Sequence, residues 1–124
     1  MLYILNEKFK IGLEEIKFVK MLDGIYRKTL VFNENLMLCQ FLLEKNATIP
    51  IHTHISSQAG FVLRGKIRFE IEEGGKMEQF ITKKGDSYIF NSNQKHGAFI
   101  LEEAEVIEAF APYREEYIQN RNLD

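Results

Sequence analysis

"KIRFEIEEGGKMEQFIT", residues 66–82, decides the fold class. Ile67, Phe69 and Ile71 fall on one side of an extended chain, and Lys66, Arg68, Glu70 and Glu72 on the other. That period of two belongs to a β-strand with one buried and one wet face. Gly74-Gly75 then supplies the positive φ angles that a two-residue hairpin turn demands, so the stretch reads as strand, turn, strand.

Outward from this hairpin, short segments rich in β-branched and aromatic residues recur about every ten positions, separated by turn formers, an all-β pattern. Strands are predicted over 15–20, 25–32, 36–43, 58–64, 86–90, 97–101 and 104–110, with Gly24, Gly65 and Gly85 at corners. Residues 36–43 are apolar on both faces apart from Gln40, which predicts an interior strand. The count suits a sandwich or small barrel. The polar tail 115–124 is expected to form a short helical turn or to fray, and to contribute little to the fold.

At 124 residues and 45% apolar content, the chain suffices for one core and falls short of two ordinary domains. A single domain over 1–124 is expected, with N-terminal strands in 1–32 and a barrel core at about 36–111. Sixteen basic against eighteen acidic residues give a formal charge of −2, which creates no general attraction to nucleic acid or to an anionic membrane. Cys39, inside "LMLCQFLL", is the sole cysteine and is expected as a small buried hydrophobe; no disulfide can form within the chain. The start lacks a basic region followed by an unbroken apolar run, and nowhere do 18 apolar residues run together. A soluble, cytoplasmic protein is expected.

Two of the three histidines, His52 and His54, stand two positions apart in "PIHTHISSQAGFVLRG", residues 50–65. On an extended strand such residues point the same way with Cα atoms roughly 6.5–7 Å apart, so both imidazoles can meet one ion. An H-x-H pair alone fits two exposed polar residues as well. The third histidine, His96, follows another glycine-led strand, "GDSYIFNSNQKHG", so all the histidine of the protein is used in one pattern.

That pattern resembles the two motifs of the cupins: H-x-H-x3-Q-x6-G on His52, His54, Gln58 and Gly65, then G-x5-N-x-N-x2-H on Gly85, Asn91, Asn93 and His96. The resemblance implies a double-stranded β-helix (jelly-roll) barrel, a homodimer, and one divalent metal ion held by His52, His54, Gln58 and His96. Asn91 and Asn93 replace the usual proline and glycine of the second motif; asparagine tolerates the left-handed backbone such a turn needs. Gln58 replaces the usual glutamate. Its neutral amide leaves a divalent ion its whole charge, which favours an anionic substrate and Lewis-acid chemistry. Zinc, nickel, manganese and iron all suit such a donor set.

Within the cupins, "HTHISSQAGFVLRG", "KKGDSYIFNSNQKHG" and "VIEAFAPYREEY" are similar to segments of the pectin-degradation proteins of the KdgF type. That resemblance implies an isomerase that ketonises a linear unsaturated uronate, with Glu108 as acid or base, Phe110 as a pocket wall and Arg114 as the anchor of the substrate carboxylate. The alternation of "EVIEAFAP" agrees, turning Glu108 and Phe110 to the face opposite Ile107 and Ala109. Taken singly, Arg114 also fits a surface ion-pair partner, Glu108 a solvated strand residue, and Tyr88 and Phe90 core or pocket wall. Two other functions stay open: a three-histidine metal dioxygenase, and a non-enzymatic module that binds a small ligand. The expected partner in each case is a small anionic metabolite.

Overall fold

The structure, a computed structural model, describes residues 9–119 and 122–123. A single 3-10 turn, Leu13–Glu15, leads into ten strands: β1 (Ile16–Lys17), β2 (Val19–Leu22), β3 (Ile25–Phe32), β4 (Met37–Leu43), β5 (Thr48–His52), β6 (Ser57–Glu73), β7 (Lys76–Lys83), β8 (Ser87–Phe90), β9 (His96–Ala111) and, after the helix α1 (Glu115–Gln119), β10 (Asn122–Leu123). The fold is all-β, and every strand pairing is antiparallel. No helix among the described residues is long and apolar enough to cross a membrane. The part of the expected N-terminal strands in residues 1–8 lies outside the described residues.

Two long strands organise the barrel. β6 and β9 pair along most of their lengths, from Ser57↔Ala111 to Ile71↔His96. The first half of β6 also pairs β8, and the second half of β9 pairs β4, which carries β3 and β2 beyond it. The other halves pair β7 and β5. One strand pair thus serves both sheets of the jelly roll and bends between them, through register shifts from Val62 to Ile67.

The sequence predicts breaks at Gly65 and near residue 102 where the structure has continuous strands, 57–73 and 96–111. Gly65, with φ +95°, is a bulge within β6 rather than a corner at its end; a Cβ there would lie 2.2 Å from the Glu103 carbonyl oxygen. The strand expected over 15–20 is divided into β1 and β2. The hairpin follows expectation: Gly74 and Gly75 take φ of +59° and +83°, and Ile67 and Phe69 are buried. β4 is interior, between β3 and β9, and Cys39 is buried with its thiol pushed up to about 12 by that burial.

The core between the sheets is aromatic and aliphatic, and its side chains Phe90, Phe110, Ile67, Ile100 and Met37 are at most 1% exposed. It also contains one arginine. Arg27 is 1% exposed, donates from Nε to Thr29 Oγ1 at 3.0 Å, and lays its guanidinium 4.4 Å from the centre of the Tyr117 ring. Thr29 Oγ1 in turn donates to the Tyr117 carbonyl at 2.9 Å. The tail therefore does more for the fold than its polar composition predicts. Tyr117 of α1 packs edge-on against Phe41 and Phe110, and β10 pairs β1.

Candidate metal centre

His52 ends β5, His96 opens β9 directly opposite it, and His54 sits in the loop between β5 and β6. The convergence of His52 and His54 therefore does not come from strand periodicity, since the strand stops at His52. The loop is held instead by His54 Nδ1, 2.8 Å from the Ser56 carbonyl oxygen, and by the Asn93 amide, which donates to the His54 carbonyl at 2.8 Å. Asn93 takes φ +64°, the left-handed turn that its asparagine tolerates.

One potential ligand atom from each of the three imidazoles lies within 4.8 Å of the other two. Each ring is oriented alike. Nδ1 of His52, His54 and His96 meets the carbonyl oxygen of Pro50, Ser56 and Gln94 respectively, at 2.8 Å in all three cases. A carbonyl only accepts, so Nδ1 carries the proton and Nε2 presents a lone pair. Such backbone partners fix tautomer and ring orientation for a metal ligand.

Two further observations test whether a cation fits. His96 is 3% exposed, and its Nε2 is buried with no hydrogen-bond partner. His54 Nε2 faces the Gln58 amide oxygen at 3.0 Å, two lone pairs that only a shared cation satisfies. Burial pushes the His96 imidazole down to about 4 and lowers that of His54, so both stay neutral at pH 7 and able to bind a metal. The residues present fit a divalent ion.

A cavity of about 350 Å³ opens beside this cluster, lined at one end by His52, His96, Gln58, Glu108, Tyr88 and Arg114 and elsewhere by apolar side chains, Phe110 and Phe90 among them. The volume falls in the range of small-molecule sites, roughly 300–1,000 Å³. Phe90 stacks on the His96 ring at 4.3 Å between centres and 16° between planes.

Glu108 points inward from β9 and is 8% exposed, so the solvated-residue alternative does not hold. Burial raises its carboxyl above the ordinary value, opposed by hydrogen bonds from Tyr88 and from the Gln58 amide and by the charge of Arg114. The Gln58 amide thus serves two neighbours, its oxygen turned to His54 and its NH2 to Glu108. A glutamate at position 58 would instead set two carboxylates side by side, and one would have to keep its proton.

Arg114 does form an ion pair, to the exposed Glu116, but its own side chain is mostly buried. Its side chain is 14% exposed; Nη1 donates to the Tyr117 hydroxyl at 2.7 Å, Nη2 to Glu116 at 2.8 Å, and the guanidinium lies 4.3 Å from the Tyr117 ring centre. Nη1 and Nη2 each keep a second N–H, and Nε is buried without an acceptor. Two contributors escaped the sequence reading. Tyr88, expected as wall, packs on Phe69 and also donates its hydroxyl to Glu108; Tyr117, in the tail, holds Arg114 in place.

Comparison with known proteins agrees with the fold. The cupin-domain family profile matches residues 40–110. The pectin degradation protein KdgF of Dickeya dadantii (strain 3937) is 33% identical over 107 residues, covering 85% of this chain and 94% of that protein. Among solved structures, an RmlC-like cupin from Shewanella frigidimarina NCIMB 400 superposes with a TM-score of 0.80 at 25% identity, covering 90% of this chain and 96% of that one. KdgF from Halomonas sp. superposes with a TM-score of 0.75 at 27% identity, covering 90% and 98%.

Proposed function

Since the chain belongs to the cupin superfamily and is KdgF-like over most of its length, we propose that it is a metal-dependent isomerase that ketonises a small, linear unsaturated uronate. One observation carries the reading. The Gln58 side chain joins the three-imidazole cluster to Glu108, so an ion site and a proton-transfer group stand side by side in a cavity that also contains Arg114.

A divalent ion bound by His52, His54, Gln58 and His96 would supply Lewis acidity toward substrate oxygens, undiminished by any ligand charge. The chain's own residues do the rest. Ketonisation moves one proton from an enol oxygen to a carbon and leaves the redox state unchanged. Glu108, buried beside the ion site with its carboxyl raised above the ordinary value by that burial, is suited to take that proton and return it. Phe110 and Phe90 exclude water from the proton path. Arg114, stiffened by Tyr117 and Glu116, offers Nε to the substrate carboxylate.

The test is proton NMR of a freshly generated linear unsaturated uronate. Accelerated appearance of the keto form with metal-loaded protein supports the reading, and decay at the uncatalysed rate removes it. Oxygen uptake in the same mixture, with iron loaded, would move the assignment to a dioxygenase.

Arg114→Ala is expected to raise KM by roughly 10- to 100-fold, the scale of one lost charge-assisted hydrogen bond, with a smaller change in kcat. Arg114→Lys should recover little of it, because the ammonium cannot keep the contacts to Tyr117 and Glu116 while reaching the substrate. Steady-state kinetics on the uronate decides this.

A second copy of the chain is the partner we assign to the outer face formed by β8 and the first half of β6. There Ile89 is 66% exposed and Phe61 45%, flanking Ala59 in register. Phe61→Asp is expected to convert a dimer to a monomer in light scattering, since it would place a charge in the apolar centre of that contact.

A further inference from the structure

Tyr88, Gly60 and Glu108 stand in one cross-strand row, Gly60 of β6 being the register partner of Tyr88 in β8 on one side and of Glu108 in β9 on the other. Neighbouring strands lie about 4.8 Å apart, so Tyr88 and Glu108 begin two strand spacings from each other. Residues that far apart meet only if one side chain crosses the middle strand. The phenol does so: its hydroxyl donates to Glu108 Oε2 at 2.5 Å. The crossing depends on the absence of a side chain below it. A Cβ on Gly60 would lie 2.1 Å from Tyr88 Cζ and 2.3 Å from its hydroxyl oxygen.

From this row we infer that Tyr88, laid across the bare Cα of Gly60, is a positioning residue that clamps Glu108 Oε2 and, together with the Gln58 amide, aims the carboxyl that exchanges the substrate proton. The inference rests on the isomerase reading above and adds a residue to it. Three features argue that the clamp serves the site. Tyr88 and Glu108 both line the cavity beside the imidazole cluster. The Tyr88 ring is already anchored, 4.4 Å from the centre of Phe69 and 5.6 Å from that of Phe90, so phenylalanine would keep that packing and lose only the bond to Glu108. A glutamate side chain has three rotatable bonds, and in a mostly apolar wall it needs a fixed partner to keep its carboxyl aimed at one place.

Tyr88→Phe removes one oxygen atom and keeps the ring, so the variant is expected to fold, with a melting temperature lowered by several degrees for the donor lost to a buried carboxyl. On the uronate, kcat should fall roughly 10- to 100-fold, a share of the 10²–10⁴ that a positioned acid–base group supplies, while KM changes less than about twofold. A second readout needs no turnover. In metal-loaded protein carrying ¹³Cδ-labelled glutamate, with the Glu108 signal assigned through Glu108→Gln, Tyr88→Phe should shift the titration midpoint of that signal upward by about one unit or more, the loss of a donor to the carboxylate. A midpoint and a kcat both unchanged would overturn the clamp. Should the parent protein fail to ketonise the uronate while the midpoint still moves, the substrate reading falls and the Tyr88–Glu108 clamp stands.

Discussion

His96→Ala is expected to abolish metal binding and activity together. The ring is 3% exposed, its Nδ1 is committed to the Gln94 carbonyl, and its Nε2 has no other partner. Removal leaves two imidazoles and one amide, and the loss should exceed the roughly 10- to 100-fold in affinity that follows even from disturbing a partner of a ligand. The consequence for stability separates this from unfolding. Metal at about 100 times its Kd stabilises the parent by about 2.7 kcal/mol through mass action, so the melting temperature of the parent should rise on addition of metal and that of the variant should not. In the metal-free state the variant should melt lower as well, because the deleted ring is buried, stacks on Phe90 and donates from Nδ1 to the Gln94 carbonyl, so the rise on adding metal, and not the starting temperature, is the readout.

Gly65→Ala should be the most damaging small substitution in the barrel. The new Cβ would lie 2.2 Å from the Glu103 carbonyl oxygen and 2.4 Å from Ala104 Cα, both backbone atoms of β9, and the residue would keep a φ of +95° that L side chains rarely adopt. Neither neighbour can rotate away. The strand pair that carries both sheets has to part at its bend, at an expected loss of about 4 kcal/mol or more, in the range reserved for backbone strain and overpacking. Urea denaturation of this variant beside Gly74→Asn checks the reason. Gly74 also has positive φ, yet a Cβ there meets nothing within 4 Å, and asparagine is at home in a two-residue hairpin turn, so that change should stay within about 0.5 kcal/mol.

The contrast between these glycines marks how far the sequence could be read. Gly74-Gly75 comes just after seven residues of clean alternation, 66–72, and local chemistry alone dictates the hairpin. Gly65 follows the apolar run Phe61-Val62-Leu63, but there the pairing partner arrives from residues 102–105, and nothing local distinguishes a bulge inside a strand from a corner at its end. The same limit divides the site. His52, His54, Gln58 and His96 were legible through their spacing, although His54 reaches the cluster from a loop and not from a strand.

Tyr88 acting on Glu108 requires three strands in register, information no single segment contains. The tail was misjudged for a related reason. "REEYIQNRNLD" is polar, but Tyr117 is buried because two guanidiniums, Arg27 and Arg114, approach its ring from the core and from the site. Arg27 lies on the inward row of β3 between Ile25 and Thr29, and local alternation does not distinguish it from Lys28 beside it.

The proposed activity requires one ion per chain, held by three imidazoles and acting beside Glu108. The most direct measurement is a titration: protein stripped with a chelator, a divalent metal added back in steps, and the rate of uronate ketonisation followed at each step. The account predicts a rate that climbs in proportion to metal and breaks sharply at one equivalent per chain, with no climb for His96→Ala. A rate that is already full in the stripped protein, or that stays at the uncatalysed value at every occupancy, would contradict it.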